Sequence, residues 1–168
     1  AVIHSLGQVT GDDVATLVRE AAALARSKEI QPQNVHVWYR VTPVGRGAPE
    51  ALAAAAAARK MLLDAWQLDP SMPAEAEASS KILDCVIDSE SRWWVGWHIA
   101  DDLPSRWPGG FHPAAFSELP NGVVSRAWLK LDEAIRVFEI PLAPGQRAIE
   151  LGASPGGACQ RLLEAGLH

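Results

Sequence analysis

Residues 81–98 read KILDCVIDSESRWWVGWH, and this stretch decides the fold of the first half of the chain. Two β-rich runs, 81–88 and 92–98, flank the short turn Ser89-Glu90-Ser91, which is hairpin spacing. Trp93, Trp94 and Trp97 fall on alternating sides of the second strand, so some face a core and some face outward. Core packing is the expected role for the inward members, and base stacking is the minority reading for the rest.

Upstream, residues 12–28, DDVATLVREAAALARSK, place Val14, Leu17, Val18, Ala21, Leu24 and Ala25 on one helical stripe. Asp12 and Asp13 suit its N-terminal dipole, and Arg26 and Lys28 its C-terminal one. Pro32 stops it. NVHVWYRVT, 34–42, is a strand with Val35, Val37, Tyr39 and Val41 on one face. A Pro/Gly loop runs from Pro43 to Pro49. An alanine-rich helix follows over 50–67, then a Pro/Ser/Glu connection over 69–80. The start, Ala1-Val2-Ile3 with a turn at Gly7, adds at most a first strand. Residues 1–100 therefore read αβαββ: an α+β sandwich with two helices on one face of a small sheet.

Downstream, 101–124 is broken by Pro104, Pro108, Gly109, Gly110, Pro113 and Pro120 and reads as a linker. Its Trp107, Phe111 and Phe116 predict that it packs against something. SRAWLKLDEAIRVFEI, 125–140, is a helix with Ser125 at its N-cap, Ala127, Leu131, Ile135 and Phe138 on one side, and Pro141 as its stop. A strand is expected at 147–151, then a Gly-rich turn and a helix from about 156. The unit at 125–168 then has one strand with two open edges. That predicts pairing with a second copy of the chain or with the first domain, or poor order.

The composition is that of an ordinary globular protein, 48% apolar and 21% charged, which excludes a disordered chain. The longest apolar run, Ala51 to Ala58, is too short to span a membrane. Fifteen Lys and Arg against twenty Asp and Glu give a net charge of −5, and no block is strongly basic, which counts against a mainly phosphate-held protein. Cys85 and Cys159 lie far apart, and no Arg- or Lys-led apolar block opens the chain, so a reducing cytoplasm is the expected location. His4, His36, His98, His112 and His168 show no ligand spacing, and no metal site is expected.

The turn from strand to helix, ELGASPGG at 150–157, carries the chemistry. Its glycines let backbone approach a ligand closely. It is neither a P-loop nor GxGxxG. A carboxylate at the strand end suits a cationic or hydroxyl-rich ligand better than a pyrophosphate. On these residues alone, a ligand loop and a structural turn stand level.

ELGASPGG resembles the S-adenosylmethionine (AdoMet) binding motif of FtsJ-type RNA 2′-O-ribose methyltransferases, typically DLGAxPGG. Twenty residues upstream, SRAWLKLDEA resembles that family's SRAxxKLxE signature, whose lysine opens a Lys-Asp-Lys-Glu catalytic tetrad. Residues 1–100 and the Trp-Pro-Gly-Gly linker look like the front of the subgroup that modifies a large-subunit ribosomal RNA cytidine and carries a THUMP-like domain. The resemblance implies a catalytic role for Lys130 and an AdoMet pocket lined by Glu150, Gly152, Ser154, Pro155, Gly156 and Gly157. Glu150 stands where Asp is commoner, and Ala158 where a Trp often sits. The other three tetrad residues and the further strands of such a domain would lie beyond His168, so the chain is expected to be a fragment of a longer enzyme, inactive alone. The alternatives are a non-enzymatic RNA-binding module and a small-molecule methyltransferase.

Overall fold

The computed structural model describes residues 2–40, 49–111 and 119–168. The chain divides into two compact units, Ala1–Phe111 and His112–His168.

The first unit is a four-stranded sheet with strands β1 (His4–Thr10), β2 (Asn34–Tyr39), β3 (Lys81–Ser89) and β4 (Arg92–Ile99) in spatial order β1-β4-β3-β2. The β3–β4 hairpin forms, antiparallel, with Cys85 opposite Val95 and Asp84 opposite Gly96; β3 runs on through Ser89, which pairs with Arg92 after a register shift, so the turn is Glu90-Ser91 rather than the expected three residues. Strand β2 runs parallel to β3, with His36 opposite Asp84. Parallel neighbours need a crossover, supplied by helix α2 (Pro49–Ala65). Strand β1 pairs antiparallel with β4. It runs straight through Gly7, which marks a register shift rather than the expected turn: ladder pairing with β4 continues on both sides of it, so the extra residue is absorbed as a bulge. Residues 41–48, including Val41 and most of the Pro43–Pro49 loop, lie outside the described residues.

Helix α1 (Val14–Ser27) starts at Asp13, whose carboxylate accepts a hydrogen bond from the Thr16 amide at 2.7 Å. That bond satisfies an orphan amide of the first turn and lowers the Asp13 pKa. Both helices cover one face of the sheet. Leu17, Val18, Ala21 and Ala25 of α1 and Ala55, Ala58, Leu62 and Leu63 of α2 meet Val35, Val37, Leu83, Cys85, Trp93 and Val95 in one cluster. Alanines spaced three and four apart on α2 let its backbone sit close to the strands. At the far ends of the helices, the Arg26 guanidinium donates to the Ala65 carbonyl and lies over the Trp66 ring.

The opposite face is covered too. Residues 101–111, expected as part of a linker, turn through two short 3-10 segments and pack on this face. Trp107 is buried, and a side chain at Gly109, whose φ is +65°, would run into the Trp38 indole at 3.0 Å. Arg106 and Ala76 exchange hydrogen bonds, which ties this strap to the segment before β3. The aromatic residues behave as the alternation predicts: Trp93 is buried and Trp94 is 44% exposed.

The second unit holds helices α3 (Ala127–Val137) and α4 (Gly157–Glu164). The strand expected at 147–151 does not form. Residues 146–150 take no regular structure, and Ile149 and Leu151 are 89% and 92% exposed. A strand is held by its neighbours' ladder, and among the described residues of this unit no second strand lies beside it. Two backbone bonds, Ala148 N–H to the His168 carbonyl and His168 N–H to the Gln146 carbonyl, link the segment to the last described residue. Among the described residues, no helix is long and apolar enough to cross a membrane.

Leu63 is fully buried, whereas Leu52 on the same helix is 41% exposed. Leu63→Ala should lower the stability of the first unit by about 2–5 kcal/mol, and Leu52→Ala should stay within about 0.5 kcal/mol. Urea unfolding followed by tryptophan fluorescence measures both.

Candidate functional site

The second unit brings the motif residues onto two helices and the loop before the second. Helix α3 begins one residue later than expected: its N-cap is Arg126, without a side-chain cap. The reason lies in the packing of Ser125. A Cβ added to Gly157 would stand 2.2 Å from the Ser125 hydroxyl and 2.9 Å from its carbonyl, so the serine is pressed against the start of α4. Its hydroxyl keeps only a long bond from the Ala127 amide, 3.4 Å.

Four polar links fasten α4. The Gln160 side chain donates to the Gly122 carbonyl at 3.1 Å and accepts from the Val124 amide at 3.2 Å. The Trp128 indole donates to Glu164 at 2.8 Å, under the Arg161 guanidinium. Asp132, buried in α3, binds Arg136 at 2.8 Å and Arg161 at 2.7 Å. Burial works against the Asp132 charge, but the two guanidinium groups outweigh it and hold its carboxyl below the usual range. The Asp132–Arg136 spacing of four is visible in the sequence. Arg161 could not be assigned as the second partner until α4 was placed.

The loop from Glu150 to Gly156 joins the irregular segment to α4. Gly152 and Gly156 both take positive φ, +79° and +98°, where other residues are strained. A Cβ at Gly152 would meet nothing within 4 Å, so the outer side of this turn is open space. The Ser154–Pro155 peptide is cis. Glu150 folds back on the first turn of α4, where its carboxylate bonds with the Cys159 thiol and raises that thiol's pKa. Its Oε2 is buried without a hydrogen-bond partner.

Of the residues singled out in the sequence, Glu150, Gly152, Ser154, Pro155 and Gly156 stand together in one turn. Gly157 differs from them: it faces Ser125 and the Trp128 amide, so its bareness serves helix contact. Lys130 is exposed on α3. It lies one residue past buried Leu129 and two before buried Asp132, which at 100° per residue turns it away from the α4 side.

The family similarity takes in this strand-less turn and the Lys130 helix before it. Residues 123–167 match the FtsJ-like methyltransferase family. The chain is 41% identical over 74 residues to Ribosomal RNA large subunit methyltransferase M of Methylococcus capsulatus, covering 42% of this chain and 20% of that protein. Its counterpart from Cellvibrio japonicus is 42% identical over 71 residues, 38% of this chain and 19% of that protein. The one from Psychromonas ingrahamii is 36% identical over 89 residues, 49% of this chain and 23% of that protein. The matched stretch thus spans about a fifth of the length of these curated relatives.

The packing yields two expectations. Gly157→Ala should separate α4 from α3 and strip protection from the α4 amides in hydrogen exchange, while Gly152→Ala, with room for its methyl group, should cost only about 1 kcal/mol of backbone strain. Asp132→Asn should loosen the same helix pair near neutral pH. Because the Asp132 pKa lies below its ordinary 3.8, the wild-type advantage is complete above that value and disappears as pH falls through the lowered one. Thermal unfolding of both proteins across this range checks the sign.

Proposed function

We propose that this chain is the front part of an AdoMet-dependent 2′-O-ribose methyltransferase that acts on ribosomal RNA in the cytoplasm. Its first unit is, in this reading, a THUMP-like domain that faces the RNA. The observation that carries the proposal is the order of two elements inside the matched stretch: the SRAWLKL helix with Lys130, then the ELGASPGG turn. The names of the relatives support ribosomal RNA as the substrate class.

The residues present fit the cofactor. Glu150 offers a buried carboxylate oxygen that lacks a protein partner, suited to an ammonium or hydroxyl group. The open side of the turn at Gly152 leaves space for it. Glu150, Gly152, Ser154, Pro155 and Gly156 would line the pocket, with Gly157 holding the helix that backs it. AdoMet supplies an electrophilic methyl group on a sulfonium. The ribose 2′-hydroxyl is a poor nucleophile until its proton is removed or strongly polarised. Lys130, exposed and turned away from the α3–α4 contact, is free to reach a substrate hydroxyl, which gives it a role on the substrate side and none in holding the cofactor. The acidic balance of the chain, −5, favours the alternative of a small-molecule substrate; the SRAWLKL helix favours RNA.

The test uses the full-length enzyme. Lys130→Ala should lower methyl transfer to RNA by roughly a hundred-fold or more and leave AdoMet affinity nearly unchanged, as for a group needed chiefly in the transition state. Gly156→Val should do the reverse, through bulk at a left-handed position. Tritium transfer and calorimetry read the two effects. Near wild-type transfer by Lys130→Ala would make the lysine a surface residue and remove the main support of the proposal. Transfer to small hydroxylated acceptors with none to RNA would replace the substrate.

A further inference from the structure

The face of the sheet under the 101–111 strap holds three buried ionisable side chains, one from each of three adjacent strands. His36 of β2 lies directly opposite Asp84 of β3, and His98 of β4 lies diagonally across from it. Their exposures are 0%, 1% and 3%. His98 Nδ1 is 2.5 Å from Asp84 Oδ2, and its Nε2 is 2.8 Å from the Ser105 carbonyl oxygen. His36 Nδ1 is 3.9 Å from Asp84 Oδ1. Three atoms here have no hydrogen-bond partner: both ring nitrogens of His36 and Oδ1 of Asp84. A buried polar atom left without a partner is destabilising, so the cluster as it stands calls for something to fill it.

The chemistry of the donors points to a cation. The Ser105 carbonyl can only accept, so His98 Nε2 carries the proton and donates it. Nδ1 then confronts the carboxylate with a lone pair, unless a proton or a metal ion lies between them. A backbone carbonyl that fixes the far nitrogen of an imidazole is the usual support of a metal-binding histidine. A neutral imidazole carries one nitrogen lone pair, and neither ring nitrogen of the buried His36 spends it on a hydrogen bond. The carbonyls of Ala74 and Arg106 approach the His36 ring without reaching hydrogen-bond geometry. The Arg59 guanidinium is occupied by Asn34 and by the carbonyls of Val35, Met72 and Pro73, and Asp84 supplies negative charge on the side facing the histidines. One ligand atom from each of the three residues falls within 4.8 Å of the others, a spread that small side-chain rotations close around one ion.

We propose that His36, Asp84 and His98 form a binding site for a divalent transition-metal ion of the zinc class, built into the first unit and separate from the methyl-transfer chemistry. Two imidazoles and one carboxylate are a borderline N/O donor set that suits such ions. A cleft of about 400 Å³ adjoins the cluster, lined in part by Trp38, Ser105, Trp107 and Gly109. It gives the ion an entry path and leaves its fourth position open. Binding displaces the proton held between Asp84 and His98 to solvent. The three residues are far apart in the sequence and show no ligand spacing, which is why no metal was expected there; the strand order β4-β3-β2 alone makes them neighbours.

The test uses the full 168-residue chain, stripped with a chelator and titrated with zinc chloride by calorimetry. One ion per chain should bind at micromolar concentration or tighter. His36→Ala and His98→Gln should each weaken binding by at least the roughly 10–100-fold that losing even a supporting residue costs. His4→Ala and His168→Ala should not. X-ray absorption on the zinc-loaded wild type should show two imidazoles and one carboxylate at about 2.0–2.2 Å, and this decides the matter even if a variant fails to fold. A folded chain that takes up no zinc would overturn the proposal in favour of a buried water. So would binding that the His36 and His98 substitutions leave unchanged, or a zinc shell without imidazole nitrogen.

Discussion

Strand β3 is paired on both edges and covered on both faces, and the first unit is organised around it. Its Leu83, Cys85 and Ile87 face the helices; on the other face Asp84 meets the strap and Ile82 packs with Ala76 and Ala100. Burying both faces of one strand requires two separate covers. The α1–α2 layer is one, and residues 101–111 are the other. The first face is apolar and is stabilised by area removed from water. The second includes a carboxylate and two imidazoles, which interior burial penalises unless their hydrogen-bonding capacity is met. The same strand therefore fixes the hydrophobic core and carries the centre of a buried polar cluster.

The second unit follows a different logic. It lacks a sheet among its described residues and is held by helix-to-helix contact. Gly157 lets α4 approach the start of α3, and Asp132 neutralises arginines from both helices. Charge-assisted bonds to a buried carboxylate are among the stronger polar links available to a small unit. The turn at 150–156 is carried on this helix pair, so the geometry of its ligand-facing side depends on contacts made by residues outside the motif.

The two units also divide the chemistry. The stretch that matches the family model, 123–167, lies in the second unit. The His36–Asp84–His98 cluster lies wholly within the first, among residues drawn from three strands and held by the strap. The pKa of the Cys85 thiol, buried beside Asp84 in sequence but on the opposite face, is raised by burial, so it takes part as a core side chain.

Local pattern determined much of this. Alternation around a short turn specified the β3–β4 hairpin, and three-and-four spacing specified α1 and α3, because those periods depend only on backbone geometry; alanine content specified α2. Two short motifs, SRAWLKL and ELGASPGG, carry the methyltransferase resemblance by themselves. Tertiary structure decided the rest. Residues 147–151 have a strand's composition, yet no strand forms, because a ladder needs a neighbour that local sequence cannot supply. Residues 101–111 have a linker's composition, yet they close over the sheet, because the apolar bodies of Trp38 and Trp107 were left to be covered. Gly157 reads as one more glycine of a ligand loop until Ser125 is seen against it. His36, Asp84 and His98 became a cluster only through the strand order, since residues on neighbouring strands meet irrespective of their separation along the chain.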